Sequence, residues 1–593
     1  MRGILSYLSL GIGCTVIAGA CGGSNNKEAG FSNDGGAGGD GASSSSGGSS
    51  GGSGSGSSSG SLVGDGAASE AGATGDPTTC LEAQTSHSYI GCDYWPTVTA
   101  NVNWSIFDFA AVVANTGATT ASVTVTGPNS TNQTVTVAPG GLTPIYLKWV
   151  STLKGADMDS CGAATALPAS VLAYGGAYHL VSSVPVTVYQ FSALEYIGQG
   201  GAAGKDWSSC PGTTTACPIA EGGDGTPIGC YSYTNDASLL LPSTAMTGNY
   251  RVTGHGGWGP ANIGAVVAIT ATADATMVTM KVSTTGQVIA GGGIAATAAG
   301  GTLTLSMNAG DVAELVGGVT DAIDLSGSLI QATKPVQVIT AMPCLDAPDQ
   351  APAYDHVEES NLPAETLGQD YIVTQPAGPT GNVVGHEVRI YGNFDGTNLT
   401  YEPSTPANCP ATINAGQVVD CGTPLGNVCE SDTGANNGPC GAGSVVSTDF
   451  EIKGDQAFAV GTFSLGASIV DPATMPPNQQ GDPDQSIVVA TAQYRTKYVF
   501  LAPTDYDNNY AVIIAPTGAS LSLDGLPVST TPTAVGTSGY GVVRVKLGTG
   551  NAGAHVLIAS DPVGLEVMGY GSYTSYTYPG GLDLKYISPP PAN

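Results

Sequence analysis

Four short stretches constrain this chain more than anything else in it. Residues 182–192 read SSVPVTVYQFS, 332–342 ATKPVQVITAM, 454–464 GDQAFAVGTFS and 560–570 SDPVGLEVMGY. Each is an apolar, β-branched run behind a small polar turn, as expected of a central strand covered on both faces. The proline stands at the start of the run, where a lost N–H donor costs little. A chain that writes one such strand four times is built by repeating a unit.

What precedes each copy repeats as well: FDFAAVVANTGATTASVTVTG (107–127), IGAVVAITATADATMVTMKV (263–282), GHEVRIYGNFDGTNLTYEP (385–403) and NNYAVIIAPTGASLSLDGLPV (508–528). An alternating strand, a turn of Gly, Thr, Asp and Asn, and a second alternating strand predict a β-hairpin. A further strand with a Gly turn follows in each unit: TVTVAPGG, LTLSMNAGD, ATINAGQ and VVRVKLGTG. About six to eight strands in roughly 100 residues make a β-sandwich, and a period this long argues against a solenoid or propeller. The expected fold is all-β, with about four tandem sandwich-like units over 77–231, 232–345, 346–480 and 481–593, the first and third carrying Cys-rich insertions. The 87 glycines and the 10% of charged residues agree, since helices would want more Glu, Lys and Arg.

Upstream of the units, Arg2, the apolar run Ile4–Ile17 and VIAGAC predict a lipoprotein signal peptide over 1–20 with Cys21 as the lipidated residue. Ala18 stands where a lipobox usually has Leu, and Gly22, not Asp, occupies the second position after cleavage, which favours sorting to the outer membrane. Residues 21–76 are nearly all Gly, Ser, Ala, Asn and Asp and predict a disordered tether of about 40 Å root-mean-square length. The expected location is therefore the bacterial outer membrane and cell surface, reached through a lipid anchor. With 46 acidic against 15 basic residues the formal charge is −31, which repels phosphate backbones and sets nucleic acid aside as a partner.

Three groups of residues invite a chemical reading. In DHVEES, Asp355, His356, Glu358 and Glu359 lie together, and an extended strand would put His356 and Glu358 on one face, as an acid/base pair or metal site needs. The alternative is a structural buttress at the start of the third unit. Asp482 and Asp484 in QGDPDQS, and Asp505 and Asp507 in TDYDNNY, offer hard oxygens at alternate positions for calcium, or are solvated turns. No other cofactor is expected. Tyr570, Tyr573, Tyr576 and Tyr578 would stack on sugars, or pack at sheet edges with their hydroxyls in water.

The segments VPVTVYQFSAL, DASLLLP, DHVEESNLPAETLGQDYIV, GDPDQSIVVATAQYRTKYVFLAP and GYGSYTSYTYPGGLDL resemble the N-terminal domain family of IgGFc-binding protein from about residue 80 to 587. The resemblance implies a bacterial, myxobacterial-type surface lipoprotein. The cysteine-rich modules of the animal protein do not follow here.

Cysteines cluster as Cys80 and Cys92; Cys161, Cys210, Cys217 and Cys230; Cys344; and Cys409, Cys421, Cys429 and Cys440. Disulfides within clusters are expected in an oxidising compartment, and zinc is not, since no CxxC occurs. The resembling family has a second Cys before its DH motif where this chain has Tyr354, which implies that Cys344 is unpaired. The expected function is non-enzymatic adhesion or recognition of an extracellular glycan or protein. A secreted metal-assisted hydrolase using Asp355, His356 and Glu358, and a structural envelope protein without a ligand, are the alternatives.

Overall fold

The computed structural model describes residues 76–591 apart from 158–164, 211–229, 260, 349–352, 425–443, 475–477 and 549–552. Cys21, the signal peptide, the tether up to residue 75, and Cys161, Cys217, Cys429 and Cys440 lie outside the described residues.

Eight strands carry the argument: β1 (His179–Phe191), β2 (Ala237–Leu239), β3 (Val336–Leu345), β4 (Asp355–Ser360), β5 (Phe458–Phe463), β6 (Gln485–Ile487), β7 (Ala554–Gly571) and β8 (Thr574–Pro579). The repeated strands are β1, β3, β5 and β7. Each unit is a sandwich of an outer and an inner antiparallel sheet. In the second unit Thr302–Met307, Thr276–Lys281, Leu329–Ala332 and Asn249–Arg251 form the outer sheet, and Val312–Val316, Val266–Ala271, β3 and β4 the inner one. Burial follows the layers. Outer Thr276–Lys281 alternates buried with more exposed positions, whereas inner Val266–Ala271 is buried throughout because both its faces are covered.

The expected hairpins are not hairpins. Phe109–Ala114 pairs with Leu142–Leu147 and the second half of β1, while Ala121–Gly127 pairs with Thr131–Val137 and the first half. The turn between them is an arch from the inner to the outer sheet, and the other three units repeat it. Alternation gives each strand one apolar face. A sandwich buries both faces by setting the strands opposite each other across the core, not side by side.

The Pro-Val sequence marks the step back from outer to inner sheet. In the first and fourth units one long strand makes the step without interruption, so Pro185 and Pro562 stand inside β1 and β7 and not at their starts. In the second and third units Thr333–Pro335 and Asp455–Ala457 interrupt it. The carbonyl just beyond each step is capped by a buried tyrosine from the first strand of the same unit. Tyr94 donates to Val186 O (2.7 Å), Tyr250 to Val336 O (2.6 Å), Tyr371 to Phe458 O and Tyr498 to Val563 O.

Strands β2, β4, β6 and β8 each pair with the repeated strand before them, so DASL, DHVEES and DQSI close a unit and do not open the next. The unit boundaries therefore fall after Leu239, Ser360 and Ile487. These four closing strands pack on one another, β2 and β6 each against both β4 and β8. The sandwiches thus stand as four blades around one axis, the arrangement the period argued against. Each blade is two sheets thick where a propeller blade has one, which accounts for the long period. The ring closes where Tyr89 N–H donates to Leu582 O (3.2 Å) and Leu584 N–H to His87 O (2.6 Å). One apolar core runs through the first and fourth units, while the second (around Ile330 and Val338) and third (around Ile452 and Val460) keep their own.

Disulfides join Cys80 to Cys92, Cys210 to Cys230 and Cys409 to Cys421, each within its cluster. Cys344 is also disulfide-bonded, which overturns the expectation of a free thiol. It lies buried near the end of β3 among Met342, Val357 and Phe463, so proximity in the fold decides its pairing and sequence clustering does not.

Candidate functional site

The closing strands are the last strands of their sheets, so their outer edges would present unpaired N–H groups to one another at the axis. A single side chain meets them. The buried Asp236 carboxylate accepts the N–H of Ala237 (2.8 Å), Glu358 (2.9 Å) and Gln485 (3.1 Å), with that of Thr577 at 3.5 Å. These four residues are equivalent in the four units, standing opposite Phe191, Ala341, Phe463 and Met568 of the repeated strands. Burial, with Asp484 nearby, pushes the Asp236 carboxyl well up against the pull of those donors.

Around this carboxylate the sequence-singled residues gather. His356 and Glu358 share a face of β4, with Nε2 3.5 Å from Oε2. Glu358 also accepts Thr99 Oγ1 (2.7 Å) and Gln190 Nε2 (3.0 Å), which ties the second unit to the first. Asp355 accepts Thr574 Oγ1 at 2.8 Å from the fourth unit. Asp482 and Asp484 are no solvated turn: both are buried, and burial raises both carboxyls, Asp484 to about 6. Asp505 and Asp507 stand elsewhere, Asp507 accepting Tyr196 Oη (3.0 Å) and Gln480 Nε2 (2.8 Å). Among the described residues no three His, Cys, Asp or Glu side chains come together in a group able to hold a metal.

The tyrosines form no sugar platform and no wet sheet edge. Tyr570, Tyr576 and Tyr578 are buried, and Tyr573 is 5% exposed. Tyr578 lies 4.8 Å from Tyr189 ring to ring, and Tyr576 donates to Asn509 Oδ1 at 2.8 Å. They weld the fourth unit to the first.

Sequence reasoning missed Asp236 and a second acidic pair, Asp108 and Glu195, at the joint of the first and fourth units. Burial and then Asp108 push Glu195 to about 7. An acid inside the apolar run FSALEYI was the available signal for Glu195.

Fold and axis together define a four-bladed all-β body of two-sheet sandwiches closed around a buried carboxylate. The chain belongs to the IgGFc-binding protein family: the family described as IgGFc binding protein matches residues 236–569, more than half of it. That match begins at Asp236 itself. No curated protein matches. A solved structure described as a tetra-tandem repeat in the extending region of a large adhesion protein is 12% identical, covering 79% of this chain and 92% of that one, at a TM-score of 0.07.

Proposed function

We propose that the chain is a lipid-anchored protein of the bacterial cell surface that binds an extracellular protein or glycan and performs no turnover. One observation carries the reading. The acid, base and carboxylate groups that the sequence brings together, Asp355, His356, Glu358, Asp482 and Asp484, are enclosed at the axis, where Asp355 and Glu358 bond across to other blades. A general acid or base must reach the proton it moves, and these groups face one another instead of a substrate. The blade surfaces and connecting loops are then the parts that meet a partner. The signal peptide, the tether and the strong negative charge support display at a surface.

Cells displaying the full chain are expected to bind members of a glycan and matrix-protein array that includes immunoglobulin Fc, and to lose retention with Cys21→Ser. Labelled palmitate should enter the wild type and not that variant. Binding to no array member would favour the structural envelope role. The hydrolase reading rests on the His356–Glu358 contact. A hydrolytic activity lost in His356→Ala with an unchanged melting temperature would establish it and remove the adhesive reading.

A further inference from the structure

Between the third and fourth blades a cleft stays open. It is walled by Ile372 and Ile487 of the third unit and by Ile514, Leu565 and Pro579 of the fourth. Its polar groups are few. Glu566 of β7 is partly exposed there, and Arg544, the cation that acts on it, is committed to Asp449 at 2.6 Å and to Gln375 O at 2.9 Å. Burial, and then Asp484, push the Glu566 carboxyl up to about 7, as expected of an acid without a close counter-charge. Two positions earlier on the same face of β7, Gly564 makes room for Tyr494: a β-carbon there would stand 2.9 Å from the phenol oxygen. Tyr494 and Ser486 both line the cleft, and the hydroxyl of each is enclosed without a hydrogen-bond partner.

These groups specify what fits. A carboxylate and two hydroxyl oxygens offer one negative charge and several acceptors, and a protonated amine brings three N–H donors, one positive charge and no acceptor. Pairing with Glu566 offsets the cost of enclosing that charge. Size narrows the choice further. The cleft offers about 20 Å³ to water-sized groups, room for about one or two of them and far too little for a sugar ring. An unbranched chain with a small cationic tip meets both conditions, its methylenes lying along the Ile487, Leu565 and Pro579 walls. We propose that the cleft between the third and fourth blades takes the ammonium end of a lysine side chain from a basic protein partner. The formal charge of −31 draws such a surface to the chain before the lysine finds Glu566. The proposal rests on the adhesive reading and narrows its ligand from a glycan or protein to a protein with exposed lysines.

The test uses butylamine as the lysine side chain without its backbone, with butanol and butyrate beside it. Each is titrated calorimetrically into the full chain in detergent and mildly alkaline buffer, and the melting temperature is followed alongside. Butylamine should bind saturably and raise the melting temperature, and the other two should not. Glu566→Gln should weaken binding about tenfold or more, as loss of a charged hydrogen-bond partner does. Val488→Phe, on a partly exposed part of the wall, should block entry, and Asp561→Asn, exposed on the same strand as Glu566, should change nothing. No saturable binding of butylamine overturns the proposal. An equal response to butanol makes the cleft an apolar gap, and undiminished binding in either folded cleft variant places the amine elsewhere on the acidic surface; both overturn it as well. Cells displaying the chain should also lose hold of array proteins whose lysines have been acetylated, and unchanged retention would strike the lysine partner. Butylamine carries no adhesive surface, so failure of the cleft is separable from failure of the adhesive reading, which the unmodified array decides.

Discussion

At the sheet crossings each unit caps a buried carbonyl of its own with its own tyrosine, whereas at the axis one carboxylate serves all four units. Tyr94, Tyr250, Tyr371 and Tyr498 are four copies of a local device. Asp236 exists once, and its donors come from three blades besides its own. Damage to a local device is confined to its unit. Damage to the shared one is felt by the assembly, so the comparison separates what makes a blade from what makes the ring.

The largest effect should come from Asp236→Ala. It leaves the N–H groups of Ala237, Glu358 and Gln485 buried without an acceptor, at about 1–3 kcal/mol each, so about 3 kcal/mol or more in urea unfolding. A loss under about 1 kcal/mol would break the comparison, because the axis would then not be shared. Asp236→Asn, which keeps one acceptor oxygen, should recover part of it.

Acidity should separate the two regions next. Asp484 at the axis titrates at about 6 when folded, above the ordinary carboxylate value, because burial disfavours its charge. The unfolded chain therefore releases this proton first as pH rises. The Asp484 contribution to stability is complete in acid below the ordinary value, falls as pH rises towards 6, and is level above that. The loss is on the order of 3 kcal/mol for a shift of this size, and Asp484→Asn should flatten it. The tyrosine caps, whose phenols burial raises further, contribute nothing in that range. Urea midpoints that stay level from acid to neutral pH would show that the axis is ionised and compensated.

Smaller again is Tyr250→Phe, which leaves Val336 O without its donor and should cost about 1–3 kcal/mol. Tyr371→Phe should cost a similar amount, and the two should add, since they sit in different units. Strong coupling between them would mean that the caps, too, act through the ring. The smallest change is Lys453→Ala on the outer sheet. Its pair with Glu451 is close at 2.7 Å, but the lysine is 48% exposed, so the loss should stay below about 1 kcal/mol.

The same contrast explains what could be read in the amino acids. Strand alternation in Ala121–Gly127 and Thr276–Lys281, the repeated Pro-Val strand and the local disulfides were all legible, because each follows from residues near in the chain. The arches were mistaken for hairpins because alternation reports which face is apolar and not which strand lies alongside. Asp482 and Asp484 were read as calcium ligands or solvated turns because Asp is ordinarily solvated; they do stand in a loop ahead of β6, but the convergence of four blades encloses them. Strand β2 is three residues long, too short for any periodicity, and Asp236 draws donors from as far as Thr577. Cys344 failed for the same reason. The caps were within reach, since a Tyr stands in GCDYWP, GNYRVT, GQDYIV and RTKYVF, but only the pairing gives those tyrosines a purpose.

Asp76 begins the described chain, and its carboxylate grips Arg495 and Lys497 on the first strand of the fourth unit. Four residues on, Cys80 is bonded covalently to Cys92 in the first unit. A force drawn through the upstream chain is therefore met in two stages. The ion pairs yield first, the more exposed Lys497 contact ahead of the enclosed Arg495 one, because no covalent bond holds them. The disulfide then stops further extension and passes the load into the first blade. A pull on the chain upstream of Asp76 would lengthen it by a few residues before it strained the folded body, a mechanical fuse at the rim of the first blade.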